Sequence, residues 1–337
     1  MAESLSAGPL SAGPLSPGLT LALEPEERRQ LAELAAAHAG AAIGPQAHAF
    51  FREAPVLAQQ LPHRLRAALT GMRQREDTAF ALVTGLPVDD EALGDTPDTW
   101  RDPAAVRRTD RYESQLALVG SVFGELFGWN TQQGGAMIHD VLPMREFENT
   151  QINFASQEPI WWHTEDAFHS HRPDYVGLLC LRNPQRAATT VSCAADWDLS
   201  DPKYDLLFEE RFRHRPDESH ADAAEPVKPR ALLTGDRAHP FVCVDPYFLE
   251  QPADPVVAAV LRDFYAVVEA ALQQVVLVPG DILVVDNHRA VHGRKPFRAN
   301  YDGRDRWLKR MSVSRDLRRS WPARAAGARQ ILDGNEH

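Results

Sequence analysis

From Tyr175 to Ser314 much of the sequence runs as short apolar, β-branched stretches separated by turn residues, and this cadence constrains the fold more than any other feature. Tyr175 to Leu181 (YVGLLCL) closes at Asn183-Pro184, and Ala188 to Cys193 (ATTVSC) is β-branched enough for a second strand. Val275 to Val278, the turn Pro279-Gly280-Asp281, Ile282 to Val285, a break at Asp286-Asn287 and Ala290 to Arg294 then follow in quick succession. One helix interrupts them, from about Asp254 to Gln273, with Asp254 as its cap and Pro255 at its first position. A mainly β chain with helical decoration, in a barrel or sandwich, is expected.

Upstream the texture differs. SAGPL occurs twice between Ser6 and Leu15, and Ser16-Pro17-Gly18 follows, so residues 1–19 read as a flexible leader. Pro25 to His38 predicts a helix with the acidic first turn Glu26-Glu27. Phe80 to Thr84 (FALVT) predicts a buried strand, and Tyr112 to Phe127 a helix with Leu116, Val119, Val122, Phe123 and Leu126 on one stripe. Ser200 to Pro240 is dense in Asp, Glu, His, Arg and Pro; beyond a short helix near Tyr204 to Phe212 it is expected to bury little, and it reads as a lid over 200–240. No linker is visible, so 20–337 is expected to form one domain.

Charge and cysteine usage narrow the classes. Lys plus Arg number 36 against 47 Asp plus Glu, a formal charge of −11, which leaves no footprint for a phosphate backbone and argues against nucleic acid. Cys180, Cys193 and Cys243 are an odd count, far apart and without CxxC, which argues against a disulfide framework or zinc knuckle. No apolar run approaches the roughly 20 residues that span a bilayer. A soluble, cytoplasmic chain with no membrane partner is expected; the oligomeric state is not legible.

His163-Thr164-Glu165 is the first chemical feature. On a strand, residues i and i+2 share a face, close enough for an imidazole and a carboxylate to hold one metal ion. Joined by a distant histidine they make a two-histidine, one-carboxylate set that favours non-haem Fe(II). His220-Ala221-Asp222 has the same spacing, but it sits in the polar segment, whereas His163 follows the β-favouring Ile160-Trp161-Trp162. For the second histidine, His288 lies in the break and His292 in the strand, before a glycine that allows close backbone approach; His292 is the better candidate.

Asp305 to Ser314 offers two readings. One face carries Arg306, Leu308 and Arg310, the other Trp307, Lys309, Met311 and Val313. Either the aromatic face is core and the arginines meet water, or both arginines point into a barrel mouth, where bound carboxylates would compensate them.

WHTEDAFH at Trp162 to His169, DYVGLLCLRNP at Asp174 to Pro184, FGWNTQQ at Phe127 to Gln133, and DNHRAVHGRKPF with YDGRDRWLKR between Asp286 and Arg310 closely resemble the clavaminate-synthase-like Fe(II)/2-oxoglutarate oxygenases. Within them the strings are most similar to the arginine β-hydroxylases of viomycin and streptothricin biosynthesis and to the enduracididine hydroxylases. The resemblance implies a double-stranded β-helix, the jelly-roll or cupin-like core. It implies His163, Glu165 and His292 as iron ligands, Arg306 for the distal carboxylate of 2-oxoglutarate, and Thr189 or Thr190 beside that cosubstrate. It also implies Arg310 for the substrate α-carboxylate, Gln132 with Glu165 for the α-amino group, and Asp245 for a guanidinium.

The implied activity is C3 (β) hydroxylation of a free basic L-amino acid, L-arginine first, using Fe(II), 2-oxoglutarate and O2. Gly134 stands where the close relatives carry aspartate, and the stretch after His220 is shorter than their lid. These departures leave room for lysine, ornithine or enduracididine, and for C4 hydroxylation or desaturation of arginine. A non-enzymatic metal-binding jelly-roll acting as a ligand sensor is the reading from another class.

Overall fold

Alternate side chains of the central strands enter two different buried layers, which is why these segments read as unbroken apolar runs. The computed structural model describes residues 18–40, 47–150, 154–216, 220, 228–325 and 327–332. It opens with β1 (Gly18–Ala22), α1 (Pro25–Ala36), α2 (Ala47–Leu57), α3 (His63–Gln74), β2 (Phe80–Thr84), the short α4 (Asp90–Leu93) and α5 (Pro103–Gly120). Then come β3 (Glu125–Trp129), β4 (Ile138–Val141), β5 (Ile160–His163), β6 (Tyr175–Arg182), β7 (Thr189–Cys193), β8 (Leu233–Gly235) and β9 (Pro240–Val242). Helix α6 (Pro255–Ala270) precedes β10 (Gln273–Val275), β11 (Ile282–Asp286), β12 (Ala290–Arg294), β13 (Trp307–Ser314) and β14 (Gln330–Ile331).

The larger sheet has the order β1-β2-β11-β6-β13-β3-β14, with β4 also paired to β13; the smaller is β10-β7-β12-β5. Between the sheets lie Phe80, Leu178, Cys180, Leu283, Val285 and Leu308 from one and Val191, Cys193 and Ala290 from the other. The intervening residues of the larger sheet, among them Val83, Leu179, Ile282, Val284, Trp307 and Met311, pack under α1, α3 and α5 through Leu31, Leu65, Leu69 and Leu116. Helix α6 covers the outer face of the smaller sheet, setting Val257, Leu261 and Phe264 in one cluster with Trp162 and Val291. This two-sheet, mostly antiparallel arrangement with helices outside is the expected jelly-roll.

Several elements differ from the sequence reading. The helix expected over 112–127 spans Pro103–Gly120, started by Pro103 and by Asp102, whose Oδ1 accepts from Ala104 N at 2.8 Å. Leu126 and Phe127 belong instead to β3, opposite Val313 and Ser312 of β13, so strand pairing overrides a helical stripe. Gly18 and Leu19, inside the stretch read as leader, pair in parallel with Phe80 and Ala81; residues 1–17 lie outside the described residues. The strand expected over 275–278 is Gln273–Val275, and Val278 is exposed. In the polar segment a 3-10 turn spans Pro202–Phe208, and Phe212, Leu232 and Leu233 are buried in the cluster under α6, contrary to the expectation that it buries little. Helices α2 and α3 carry no capping side chain at a described N-terminus and were not anticipated.

Both faces of β13 are buried, and its outward face carries a lysine. Lys309 is fully buried, with Nζ 2.7 Å from Glu113 Oε1 of α5 and 2.7 Å from Asp140 Oδ1 of β4. Trp307 Nε1 donates to the same Asp140 oxygen at 2.6 Å. Burial works against the ammonium, yet the two carboxylates outweigh it and hold its pKa above 10.5. Burial lifts Glu113 in spite of the lysine, and Asp140 across the same ammonium adds to the rise. Lys309→Met would strand two buried carboxylates, and a loss of about 3–5 kcal/mol is expected in urea denaturation. Because the folded-state pKa of Lys309 is raised, its contribution is complete below pH 10.5 and is lost as pH climbs through the raised value; unfolding midpoints measured across that range test this.

Candidate active site

Strand register brings the two imidazoles together. His292 of β12 stands opposite His163 at the end of β5, with ring centroids 4.7 Å apart. Gly293 makes the approach possible: a Cβ there would lie 2.7 Å from Ile160 O and 3.0 Å from Trp162 N. Glu165 completes the set, and one ligand atom from each of His163, Glu165 and His292 lies within 4.8 Å of the others. The route differs from the one expected. β5 ends at His163 and Asp166 takes φ 52°, so Glu165 reaches the site from a turn and not from a shared strand face.

The two carboxylate oxygens of Glu165 divide their partners. Oε2 lies 3.6 Å from His163 Nε2 and 3.4 Å from His292 Nε2, while Oε1 pairs with Arg310 Nη1. His163 Nδ1–H donates to Trp161 O at 2.7 Å, so in the neutral imidazole that a metal would bind, Nε2 carries the lone pair toward the common point. Burial opposes ionisation of Glu165, but Arg310 and the two histidines hold it well below the usual carboxylate range. Burial also disfavours a charged His163, yet Glu165 and Asp245 lift it to about 9; for His292 burial dominates and its pKa falls. Two nitrogens and one carboxylate oxygen converging from two chain segments fit a divalent first-row metal with positions left for other ligands.

Arg310 is built into this cluster from β13. Its Nη2 donates to Gln132 Oε1 at 3.0 Å and to His139 Nδ1 at 3.1 Å. His139 is the cross-strand neighbour of Arg310, and its Nε2–H donates to Ala136 O at 3.0 Å, so Nδ1 is the acceptor. Burial, then Arg310, push His139 down to about 3 and keep it neutral. Sequence reasoning missed this residue, since a four-residue strand carries no periodic signal.

Arg306 lies on the same inward row as Leu308 and Arg310, which decides between the two readings of this strand in favour of the inward arginines. It is 4% exposed and has no hydrogen-bond or ion-pair partner among the described residues. Burial lowers its pKa to about 10, and the guanidinium lies 6.0 Å from the ring centroid of Phe297. A buried, uncompensated guanidinium fits a carboxylate ligand and little else. The alternation of β7 separates the two threonines: Thr189 shares the inward face of Val191 and Cys193, and its Oγ1 is buried without a hydrogen-bond partner among the described residues. Thr190 faces the other way, beside Gly293.

A cavity of about 320 Å³ is lined by Gln132, His139, His163, Glu165, Arg310 and Asp245, with His214, Phe168, Trp161 and Tyr247 among its other walls. Asp245 is both a turn residue and a wall: its Oδ1 accepts from Tyr247 N at 2.9 Å and Phe248 N at 3.2 Å. His214 Nε2 accepts from Asp245 N at 3.1 Å. Gln132 meets the polar segment through His220, with Nε2 to Nε2 at 2.9 Å. His220 is thus buried beside the site without joining the ligand set, and Asp222 lies outside the described residues. The other candidate second histidine, His288, points away and lies between Asp174 and Arg172.

Comparison with known proteins agrees with this geometry. The family described as taurine catabolism dioxygenase TauD, TfdA family matches residues 65–312. Enduracididine beta-hydroxylase of Streptomyces hygroscopicus is 40% identical over 308 residues, covering 84% of this chain and 90% of that protein. L-ornithine/L-arginine 3-hydroxylase of Catenulispora acidiphila is 40% identical over 332 residues, covering 89% and 96%. A crystal structure of the non-heme iron oxygenase OrfP in complex with Fe and alpha-ketoglutaric acid superposes with a TM-score of 0.85 at 40% identity, over 93% of this chain and 99% of that one. Matched in sequence over most of its length and in fold over nearly all of it, the chain belongs to the TauD, TfdA family of dioxygenases.

Proposed function

We propose that this protein is an Fe(II)- and 2-oxoglutarate-dependent oxygenase that hydroxylates C3 of a free basic L-amino acid, with L-arginine as the first substrate. The observation that carries the reading is the continuity of one cavity wall: His163 and Glu165 adjoin Arg310 and Gln132, and Asp245 lies on the same cavity. His163, Glu165 and His292 would hold the iron, and Arg306, with Thr189 on the facing strand, would hold the distal carboxylate of 2-oxoglutarate. Bound there with dioxygen, they supply the oxidation in which 2-oxoglutarate becomes succinate and carbon dioxide and one oxygen atom enters a substrate C–H bond.

The remaining work belongs to this chain's side chains. Arg310 offers its guanidinium to the substrate α-carboxylate, while Gln132 and Glu165 offer oxygens to the α-amino group. With both ends of the α-carbon clamped, C3 is the nearest aliphatic carbon to turn toward Glu165 and His163. Asp245, on the same cavity, receives a cationic side-chain terminus. Neutral His139 matters because its Nδ1 accepts from Arg310; a protonated imidazole would lose that acceptor and repel the guanidinium. His214 and Arg215 bring the 200–240 segment to the cavity, which supports reading it as the cover of a single oxygenase domain. The relative named for L-ornithine as well as L-arginine favours ornithine as the second substrate to test. A cytoplasmic enzyme of specialised metabolism completes the reading; no described helix is long and apolar enough to cross a membrane.

Anaerobic Fe(II) protein, given 2-oxoglutarate and then air with each basic amino acid, should release succinate and a product heavier by one oxygen atom with arginine. A product lighter by two hydrogens would indicate desaturation, and an inert Fe(II) protein would leave the ligand-sensor reading standing. Asp245→Ala should weaken a guanidinium substrate by about 2–5 kcal/mol, read from KM, while leaving 2-oxoglutarate affinity unchanged. Arg306→Leu should weaken 2-oxoglutarate by about 2–5 kcal/mol in calorimetric titration. The same variant should unfold no lower than the parent when 2-oxoglutarate is withheld, because it removes an unpaired buried cation.

A further inference from the structure

Glu165 stands beyond the strand that carries His163, so the β5 ladder does not set its direction. Both backbone polar atoms of Glu165 are engaged by one side-chain amide, that of Asn287. Glu165 N–H donates to Asn287 Oδ1 at 2.7 Å, and Asn287 Nδ2 donates to Glu165 O at 3.1 Å and to Pro173 O at 2.8 Å. The amide behaves as a borrowed strand neighbour, presenting an acceptor and two donors in one plane.

Asn287 is fully buried and is itself held firmly. Its N–H donates to Asp174 O at 2.9 Å, and Arg172 Nη1 donates to its carbonyl at 2.9 Å. It occupies the turn between β11 and β12, five residues before His292. The β5–β12 pairing ties His163 to His292; the Asn287 amide ties Glu165 to the same turn. Without it, the peptide at Glu165 would be free to rotate, and the carboxylate would swing away from the two imidazoles.

We infer that Asn287 is a positioning residue for the Glu165 carboxylate, acting through the backbone of that residue and touching neither metal nor substrate. The inference rests on the iron reading above. Chemistry of the side chain makes it specific: Asn287→Asp keeps the shape and the acceptor, but it sets a carboxylate oxygen against two carbonyl oxygens in a buried site. Asn287→Ser removes the paired contacts without adding charge.

The test titrates metal-free protein with Co(II) as a spectroscopic stand-in for Fe(II) and records thermal unfolding of the same samples before metal is added. Wild type should bind one equivalent, and both Asn287→Asp and Asn287→Ser should bind about 10–100-fold more weakly. His288→Ala, which disturbs the same turn through Arg172 and Asp174 while sparing the amide, should bind within about twofold of wild type. Should the aspartate variant fail to fold, the serine variant carries the same expectation. Wild-type affinity in the serine variant overturns the inference, as does an equal loss in His288→Ala. Wild-type protein that takes up no cobalt would defeat the iron reading itself, a result distinguishable from either.

Discussion

The pairing of His292 with His163 is the constraint on which the rest of the site depends. A one-residue slip between β5 and β12 would turn one imidazole out of the inter-sheet space and toward α6. Two features prevent it. Ala290 is packed between the sheets and Val291 under α6, so the strand has an apolar anchor on each face next to the histidine. Gly293 then fits a backbone approach that no side chain could share. With the register set, Glu165 needs only a fixed peptide plane to bring its carboxylate to the same point.

Around that point the structure concentrates charge that water would otherwise stabilise. Arg310 is answered by Glu165, Gln132 and His139, and Lys309 on the opposite face of the same strand is answered by Glu113 and Asp140. Arg306 stands apart in having no counter-ion among the described residues. The overall charge of −11 plays no visible part in this arrangement. What counts is the local sign, residue by residue.

The cluster of His163, Glu165 and His292 was legible from residue type and spacing, a histidine and a glutamate two apart and a second histidine before glycine, whereas the arginine fourteen residues later was marked only by the family resemblance. The direction in which Glu165 arrives was not legible, since strand periodicity predicts a shared face and cannot anticipate a turn at Glu165. Alternation along β13 could not orient the arginines, because alternation tells in from out only when one face meets solvent, and here neither does. Thr189 and Thr190 were inseparable for the related reason that the facing sheet decides which is inward. Asn287 read as a break between strands; its part in the site arises from contacts across 122 residues of chain, and nothing in its neighbours announces it. The α5 boundary, by contrast, was written in Asp102-Pro103 and was overlooked in favour of a stripe that runs on into a strand.

Strand β13 bears on how such a protein can change. On its inward face Arg310 is tied to Glu165, Gln132 and His139, and on its outward face Lys309 is tied to Glu113 and Asp140, so replacement of either cation strands a charge. The other cavity walls come from irregular segments, at 131–133, 167–168, 214–215 and 245–248, whose side chains are not bound by that rule. Descent with altered substrate preference therefore has an obvious division of labour: a rigid strand that cannot change without stranding a charge, and a set of replaceable fingers around the same cavity.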